Sequence, residues 1–175
     1  MIATGSLTKT SCEGQIHTRI ITSFTKEVTG LDEEIRLLMQ SQEDLKKSTE
    51  LLQSIKGVGW VVAAYMICCT NNFKKFRNAR KFNCYAGLAP FNYESGSSIR
   101  GRSRTSSLAN KEAKTILNLA ACVAVRHDLE LKEYYDRRVG SGKRKMSCLN
   151  VVRAKLVSRM FAVIKRQSPY LQVAA

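Results

Sequence analysis

The chain has 175 residues, of which 29 are lysine or arginine and 14 are aspartate or glutamate, so its formal net charge is +15. Hydrophobic residues make up 44% of the chain, which suffices for one domain with a modest core and an appendage. It contains no apolar run of the ~18 residues that cross a bilayer and no signal-peptide core in residues 1–15, which predicts a cytoplasmic protein with no membrane partner.

The charge is unevenly distributed along the chain. Residues 1–50 carry 6 basic and 8 acidic side chains. Residues 73–111 carry 9 basic side chains and 1 acidic one, and residues 137–175 carry 10 basic side chains and no acidic one. Two basic blocks with so little compensating acid are typical of a surface that binds a polyanion, and they predict DNA as a partner. The alternative is that these side chains are simply solvated on separate helix faces.

Residues 1–20 are polar and are expected to be disordered or frayed, and residues 21–52 are predicted to form a coiled-coil helix. Apolar residues there repeat with alternating spacings of three and four, which favours a parallel homodimer. The alternative is an amphipathic helix folded back on its own domain. Gly30 interrupts the pattern, so the continuous helix is predicted to start after Thr29. The two sets of seam positions are Ile21, Val28, Ile35, Gln42 and Thr49, and Phe24, Leu31, Leu38, Leu45 and Leu52.

Residues 50–69 are predicted to form a hairpin of two helices joined by a tight turn at Lys56, Gly57, Val58 and Gly59. Glycines let a backbone approach a ligand closely, and the first amides of the second helix lack intrahelical partners. The turn therefore predicts a phosphate-binding helix-hairpin-helix motif. The alternative is an ordinary connection with a glycine C-cap.

The rest of the chain predicts a mainly α domain over residues 53–168, followed by a tail at 169–175. A short helix is expected over residues 78–86, and longer helices over 108–127, 129–138 and 145–167. Residues 87–107 are rich in glycine, proline and serine, and predict a long functional loop. No strand pattern is evident, so the expected fold is a coiled-coil helix followed by a compact helical domain.

Carboxylates and paired cysteines are scarce, which argues against a metal site. Between Glu50 and Glu112 the only acidic residue is Glu94, whereas two-metal phosphoryl transfer needs clustered carboxylates. The six cysteines form no C-x-x-C pair. Cys68, Cys69 and Cys122 lie in apolar helical context and are interpreted as small buried residues in a reducing compartment. An aspartate a short way past the hairpin is also missing, because the next one is Asp128, and this argues against a base-excision glycosylase.

Ser95 is the candidate catalytic residue. A serine hydroxyl can attack a DNA phosphodiester and hold it as a phosphoserine link, provided that cations stabilise the phosphorus centre. Arg100, Arg102 and Arg104 lie in the same segment, and Lys143, Arg144 and Lys145 form a second candidate phosphate-binding group. On residue chemistry alone Ser97 and Ser98 are nearly as good candidates, and all three serines are compatible with an ordinary loop.

Residues 50–167 resemble the C-terminal transposase domain of the insertion-sequence family one-ten (the one-ten/one-sixteen/nine-oh-two group). The resemblance rests on the order and spacing of several short motifs. These are Leu52-x-x-Ile55-x-Gly57-Val58-Gly59, Phe76, Tyr85-Ala86-Gly87-Leu88-Ala89-Pro90, Ser95-Gly96, Ala120-Ala121, Arg126, Tyr134, Gly142-Lys143 and the closing basic helix.

The resemblance implies a DNA transposase in bacterial cytoplasm, associated with the nucleoid, with a serine nucleophile that maps on Ser95. It also implies a coiled-coil dimer, a guide RNA, and a preceding RNase-H-like domain whose four acidic residues bind Mg²⁺. Only about 20 polar residues precede the predicted coiled coil, so a truncated or split form is expected, with no cofactor in this chain. Glu94 replaces a neutral glutamine and opposes phosphate approach. The alternatives are a non-catalytic DNA- or RNA-binding module and a regulatory dimer.

Overall fold

The computed structural model describes residues 12–95, 99–106 and 108–171. These residues are mainly helical, which confirms the predicted fold class. The elements are α1 (Cys12–Ser41), α2 (Glu43–Gln53), α3 (Trp60–Thr70), α4 (Ala79–Tyr85), β1 (Phe91–Ser95), β2 (Ile99–Arg104), α5 (Lys111–His127), α6 (Leu129–Gly140) and α7 (Lys145–Arg166).

The chain divides into two compact units, one that ends at Gln42 and contains α1, and one that begins at Glu43 and contains all the other elements. Within the described ranges, no helix combines the length and the apolar character needed to cross a membrane.

Helix α1 begins at Cys12, nine residues earlier than the sequence pattern predicts, and it continues through Gly30. The expectation that the whole of 1–20 is frayed and that the continuous helix starts after Thr29 is therefore wrong. Ile16 and Ile20 extend the apolar spacing toward the N-terminus, and the Thr18 hydroxyl donates to the Gly14 carbonyl at 2.8 Å. One glycine in a long helix lowers the stability of that helix by only about 1 kcal/mol relative to alanine. The remaining turns are sufficient to keep α1 helical through Gly30.

The predicted continuous helix over 21–52 is interrupted at Gln42, which corrects the assignment of its second half to a coiled-coil seam. The Ser41 hydroxyl donates to the Leu38 carbonyl at 2.8 Å at the end of α1. Helix α2 then starts at Glu43, and its Leu51 and Leu52 are buried in the second unit. Leu52 is fully buried in its own domain, so it cannot belong to a seam between two chains.

Helix α7 forms the centre of the second unit and packs against α2, α4, α5 and α6. Its apolar residues recur at the three- and four-residue spacings that place side chains on one face of a helix. The fully buried ones are Val152, Leu156, Val157, Met160 and Val163. Helix α5 contributes mainly small residues to the same core, and these let the two helices approach closely: Ala113, Leu117, Ala120, Ala121 and Ala124.

Aromatic residues attach α4 to this core. The Phe82 ring is fully buried and lies 5.2 Å from Phe76 and 6.0 Å from Phe161, measured between ring centroids. Phe73 meets Phe161 edge to face at 4.8 Å, although its φ of 62° is unusual for a bulky residue. Edge-to-face pairs of this kind add about 0.5–1.5 kcal/mol each beyond the area they bury, so they fix where the α3–α4 segment lies.

The segment predicted to be a long loop contains a short antiparallel β-hairpin instead. In β1 and β2, Ser95 pairs with Ile99, Glu94 with Arg100, and Phe91 with Arg104, with a bulge between Phe91 and Tyr93. The glycine and serine content suggested a loop, but Phe91, Tyr93 and Ile99 are residue types that favour strands. Strand pairing satisfies the backbone of a segment too polar to bury.

Tyr170, which follows α7, is hydrogen-bonded to the residue that follows α2. The Tyr170 amide donates to the Ser54 hydroxyl at 2.8 Å, and the Arg159 guanidinium lies 4.7 Å from the Tyr170 ring centroid. Tyr170, which was expected to be part of a free tail, is therefore held between the end of α2 and α7.

The turn between α2 and α3 is seated directly on α5. Gly57 has a φ of 92°, and a Cβ at this position would lie 2.7 Å from the Ala120 carbonyl oxygen and 2.7 Å from the Ala124 Cβ. Ile55 and Val58 on either side are buried. Gly59, two residues later, has an ordinary φ of −83°, and a Cβ there would meet only open space. The two glycines therefore have different roles, since only Gly57 is required by packing.

Replacing Gly57 with alanine is expected to destabilise the second unit by roughly 2–4 kcal/mol, the combined cost of left-handed backbone and overpacking. Gly59→Ala is the matched control and should change the free energy of unfolding by less than about 1 kcal/mol. Urea denaturation followed by circular dichroism measures both. Equal effects of the two substitutions would show that the close approach of the turn to α5 contributes little.

Candidate nucleic-acid interface

The α2–α3 turn presents the residues that the sequence assigned to phosphate binding. The Val58 amide donates to the Ile55 carbonyl at 3.0 Å, and the buried Val58 side chain anchors the turn, so this residue has a structural role. Lys56 is exposed beside it. Gly59 is the N-cap of α3 and offers no side chain to its first turn, whose outward amides suit an anion. The structure thus has a tight turn between two helices here, and the helix-hairpin-helix assignment and its use in DNA binding stay predictions.

The β1–β2 hairpin carries Ser95 as the last residue of β1. Its register places the Ser95 backbone opposite Ile99, one position from Arg100, while Arg102 and Arg104 follow along β2. The structure describes the backbone of these four residues and not their side chains, and Gly96, Ser97 and Ser98 lie outside the described residues. The hairpin therefore brings the serine and the arginine-bearing strand together at the backbone level.

Both ends of the hairpin segment are tied to the helical core. On the β2 side, the Asn110 amide donates to the Tyr85 carbonyl at 2.9 Å, and the Asn110 side chain caps α5 by accepting from the Ala113 amide. Asn110 Nδ2 also donates to the Tyr85 hydroxyl at 2.7 Å, and the Tyr65 hydroxyl donates to Asn110 Oδ1. Burial raises the pKa of Tyr65 above its usual range.

On the β1 side, the chain leaves α4 through Gly87, whose φ is 64°. The amides of Leu88 and Ala89 both donate to the Asn83 carbonyl, at 2.8 and 3.2 Å. The Leu88 carbonyl accepts from Asn150 Nδ2 of α7 at 2.8 Å. The turn is therefore held from two helices before β1 begins.

A polar network behind this turn was not anticipated from the sequence. Arg153 of α7 is 3% exposed, and its two terminal nitrogens donate to Asn150 Oδ1, at 3.3 Å, and to Asn118 Oδ1 of α5. The sequence does contain a signal for this network, because Arg153 stands within the apolar face of α7 between Val152 and Leu156. An arginine at a core position of an amphipathic helix calls for a polar partner in the interior.

Exposed basic residues surround α4. The Asn78 side chain caps α4 by accepting from the Lys81 amide at 3.0 Å. Lys75 Nζ lies 5.7 Å from the ring centroids of both Phe76 and Tyr85, which holds this cation near the domain surface. The basic side chains of this region are Lys74, Lys75, Arg77, Arg80 and Lys81.

Lys143 and Arg144 lie in the connection between α6 and α7, Lys145 is the first residue of α7, and all three are exposed. Gly142 adopts a φ of 79°, and the Lys143 amide donates to the Arg138 carbonyl at 3.2 Å. The Arg144 carbonyl accepts from the Ser147 and Cys148 amides as α7 begins. A defined turn thus presents three successive cations to solvent.

The acidic residues at the start of α6 have a structural role. Asp128 Oδ1 caps α6 by accepting from the Leu131 amide at 3.0 Å, and Oδ2 accepts from Arg159 Nη1 at 2.7 Å. Glu130 accepts from the other terminal nitrogen of Arg159. Asp128 is buried and fully used by these contacts.

Across the described ranges, no three histidine, cysteine or acidic side chains are grouped as a metal ion would require, so no step is assigned to Mg²⁺ here.

The family model described as Transposase IS116/IS110/IS902 family matches residues 49–136. This match begins in α2 and includes the α2–α3 turn, the basic α4 region and the Ser95 hairpin. The chain belongs to this transposase family. The resemblance noted in the motifs around Gly57 and Gly87 is therefore confirmed.

The curated relatives of this transposase-family chain include a gene-inverting protein and proteins of insertion elements. It is 26% identical over 151 residues to a pilin gene-inverting protein of Moraxella bovis, covering 86% of this chain and 47% of the relative. It is 28% identical over 149 residues to the insertion element IS110 43.6 kDa protein of Streptomyces coelicolor, covering 83% and 36%. It is 24% identical over 160 residues to the insertion element IS900 42 kDa protein of Mycobacterium paratuberculosis, covering 89% and 40%. The chain spans about half the length of these relatives or less.

The basic surface predicts strongly salt-dependent binding to duplex DNA, because each neutralised phosphate releases counterions. Reversing the charge of Lys143 and Lys145 to glutamate should lower the slope of log affinity against log salt by up to about 2. Fluorescence anisotropy over a range of salt concentrations measures this slope.

The matched control reverses Lys46 and Lys47, which are exposed on α2 near Glu43, Asp44 and Glu50. It changes the net charge equally and should leave the slope nearly unchanged. Equal effects of the two pairs would indicate a general charge effect, without an interface at the α6–α7 turn.

Proposed function

We propose that this chain is the DNA-cleaving and rejoining half of a transposase, acting through a phosphoserine link at Ser95. The proposal is supported by family membership together with the position of Ser95 at the end of a strand whose partner strand carries Arg100, Arg102 and Arg104. A hairpin in an otherwise helical domain, tied to the core at both ends, is a stable platform for a nucleophile.

The proposed step is a transesterification. Ser95 Oγ loses its proton and forms a bond to a DNA phosphorus, while the bond from that phosphorus to one deoxyribose oxygen breaks and this oxygen takes up a proton. In the reverse direction, a hydroxyl of a second DNA end attacks the phosphoserine and releases Ser95. The number of phosphodiester bonds is conserved, so the strand exchange needs no external energy source.

The arginines of β2 are proposed to stabilise the charge that develops on the phosphoryl oxygens, for which guanidinium groups are well suited. The α2–α3 turn and the basic residues of the α6–α7 connection are proposed to hold the DNA backbone without reading sequence. Glu94 pairs with Arg100 across the hairpin. This pairing places a cationic residue opposite the carboxylate residue that would otherwise oppose phosphate approach.

An acidic half of the active site is a further proposed component, since the relatives are longer than this chain. A guide RNA is proposed on the family resemblance alone. A second candidate function is a DNA- or RNA-binding module without catalysis. It is favoured by the extent of the exposed basic surface, which does not depend on Ser95.

Ser95→Ala is expected to abolish a covalent protein–DNA adduct while leaving DNA affinity within about twofold, because one hydroxyl contributes little to a highly charged interface. The chain is supplied with the acidic half of a full-length relative, guide RNA and nicked DNA, and the adduct is mapped by mass spectrometry. Ser103→Ala, a serine change in β2, is the control and should preserve the adduct. An adduct at Ser97 or Ser98 would contradict the assignment, and absence of any adduct would favour the binding module.

Dimerisation through α1 is also proposed, because its apolar stripe is exposed. Phe24 is 68% and Leu31 is 59% exposed, and the same stripe includes Ile21, Val28, Ile35 and Leu38. Six large apolar residues at heptad spacing on one helix are typical of a coiled-coil seam.

Phe24→Asp combined with Leu31→Asp is expected to convert a dimer to a monomer at tens of micromolar, roughly where a short coiled coil associates. Sedimentation equilibrium measures the mass. Ser23→Asp with Gln40→Asp adds the same charge at exposed polar positions of α1 and should leave the dimer intact. A monomeric unmodified chain would rule out α1 as a dimer seam.

A further inference from the structure

Arg153 is a buried cation without a carboxylate partner among the described side chains. Only 3% of the residue is exposed, and its two terminal nitrogens donate to the amide oxygens of Asn118 and Asn150. Its Nε has no hydrogen-bond partner in the described part of the chain. Burying a charge without an opposite charge is unfavourable, so stability alone gives no reason to place an arginine here.

The planar geometry of the Arg153 guanidinium explains why an arginine is placed at this buried position. Its two terminal nitrogens diverge in a rigid plane, so one side chain can bind an amide on α5 and another on α7 at once. The bond to Asn150 Oδ1 fixes which way the Asn150 amide faces, and Nδ2 then donates to the Leu88 carbonyl at 2.8 Å. The orientation of one amide thus connects the buried cation to the turn before β1.

The Leu88 turn is stiff on both sides of this contact. The Leu88 amide is bonded to the Asn83 carbonyl, and the side chain is 2% exposed. Pro90 restricts its own φ and the conformation of Ala89. Strand β1 begins at the next residue, Phe91, and ends at Ser95. A displacement of the Leu88 carbonyl would therefore be carried into the strand, because the intervening residues have little freedom to absorb it.

We propose that Asn150, oriented by the buried Arg153 guanidinium, is a positioning residue that fixes the Leu88 carbonyl and thereby aligns the β1–β2 hairpin and Ser95. This inference rests on the proposed function of Ser95 and extends it to two residues of α7. A misplacement of about 1 Å in a reacting group can reduce a rate by about 100-fold, so a hydrogen bond distant from the reaction can still control it.

Two isomeric variants separate positioning from a purely structural role. Asn150→Asp and Asn118→Asp each give Arg153 a carboxylate partner and each change the net charge by one unit. Only Asn150→Asp turns a carboxylate oxygen toward the Leu88 carbonyl, which replaces a hydrogen bond with repulsion. Both variants are expected to fold, because each supplies the opposite charge that the buried guanidinium lacks.

Two readouts are measured on the full chain. Hydrogen–deuterium exchange of backbone amides in 91–95 and 99–104 needs no substrate, and it should accelerate in Asn150→Asp and not in Asn118→Asp. The rate of Ser95–DNA adduct formation in the reconstituted reaction should fall roughly tenfold or more in Asn150→Asp and stay within about twofold in Asn118→Asp. DNA affinity should be the same in the two variants.

Equal exchange and equal adduct rates in the two variants would overturn the proposal and leave Arg153 as a connection between α5 and α7. If the unmodified chain forms no adduct, the proposed function fails, and the exchange rates still decide whether Asn150 holds the hairpin. Should Asn150→Asp not fold, Asn150→Ala and Asn118→Ala form a second matched pair. The same difference in hairpin exchange is expected between them, and its absence would equally refute the proposal.

Discussion

Burial of the apolar face of α7 against α2, α4, α5 and α6 is the interaction on which the rest of the second unit depends. Val152, Leu156 and Met160 are fully buried along this face, and each such side chain contributes about 1.5–3 kcal/mol by leaving water. Because α7 contacts four helices that are spread over residues 43–140, its burial determines which turns come together at the surface. The α6–α7 connection and the Leu88 turn both take their positions from α7.

Small residues make this arrangement possible on the α5 side. Ala120 and Ala124 leave room for the α2–α3 turn to lie directly on the helix, and Gly57 completes the close approach. The turn is consequently rigid where it meets the core and open at Gly59, where a ligand has room. A rigid turn with free space at a helix N-terminus is a suitable arrangement for binding phosphate, because its amides need no reorganisation.

Charge is separated by the same packing. The acidic residues Asp128 and Glu130 are engaged with Arg159 where α6 begins, so these carboxylates are already paired. The basic residues around α4 and in the α6–α7 connection remain accessible at the surface. Cations in excess at the surface, with these two acids occupied by other contacts, produce a field that attracts a polyanion. This separation supports nucleic-acid binding independently of any catalytic role for Ser95.

The mainly helical fold, the family, the turn at Gly57 and the exposed basic residues at Lys143 could all be predicted from the sequence alone. These features depend on local signals, namely helical spacing, glycine turns and runs of charge, which adjacent residues carry. The tertiary structure decided the features that depend on distant residues. Leu52 fits a heptad as well as Leu38 does, and only packing against α3 and α7 shows that it belongs to the domain core.

The β1–β2 hairpin was missed because its contacts to the core come from residues distant in the sequence, and Asn118, one partner of Arg153, likewise lies on another helix. Strand pairing joins Glu94 to Arg100, and the segments that flank the two strands are hydrogen-bonded to the core through Asn110 and Asn150. Asn110 caps the start of α5 and Asn150 lies on α7, and neither belongs to the hairpin itself. An isolated two-stranded hairpin is marginal in water, so local composition favoured a loop, and the anchoring contacts decided otherwise.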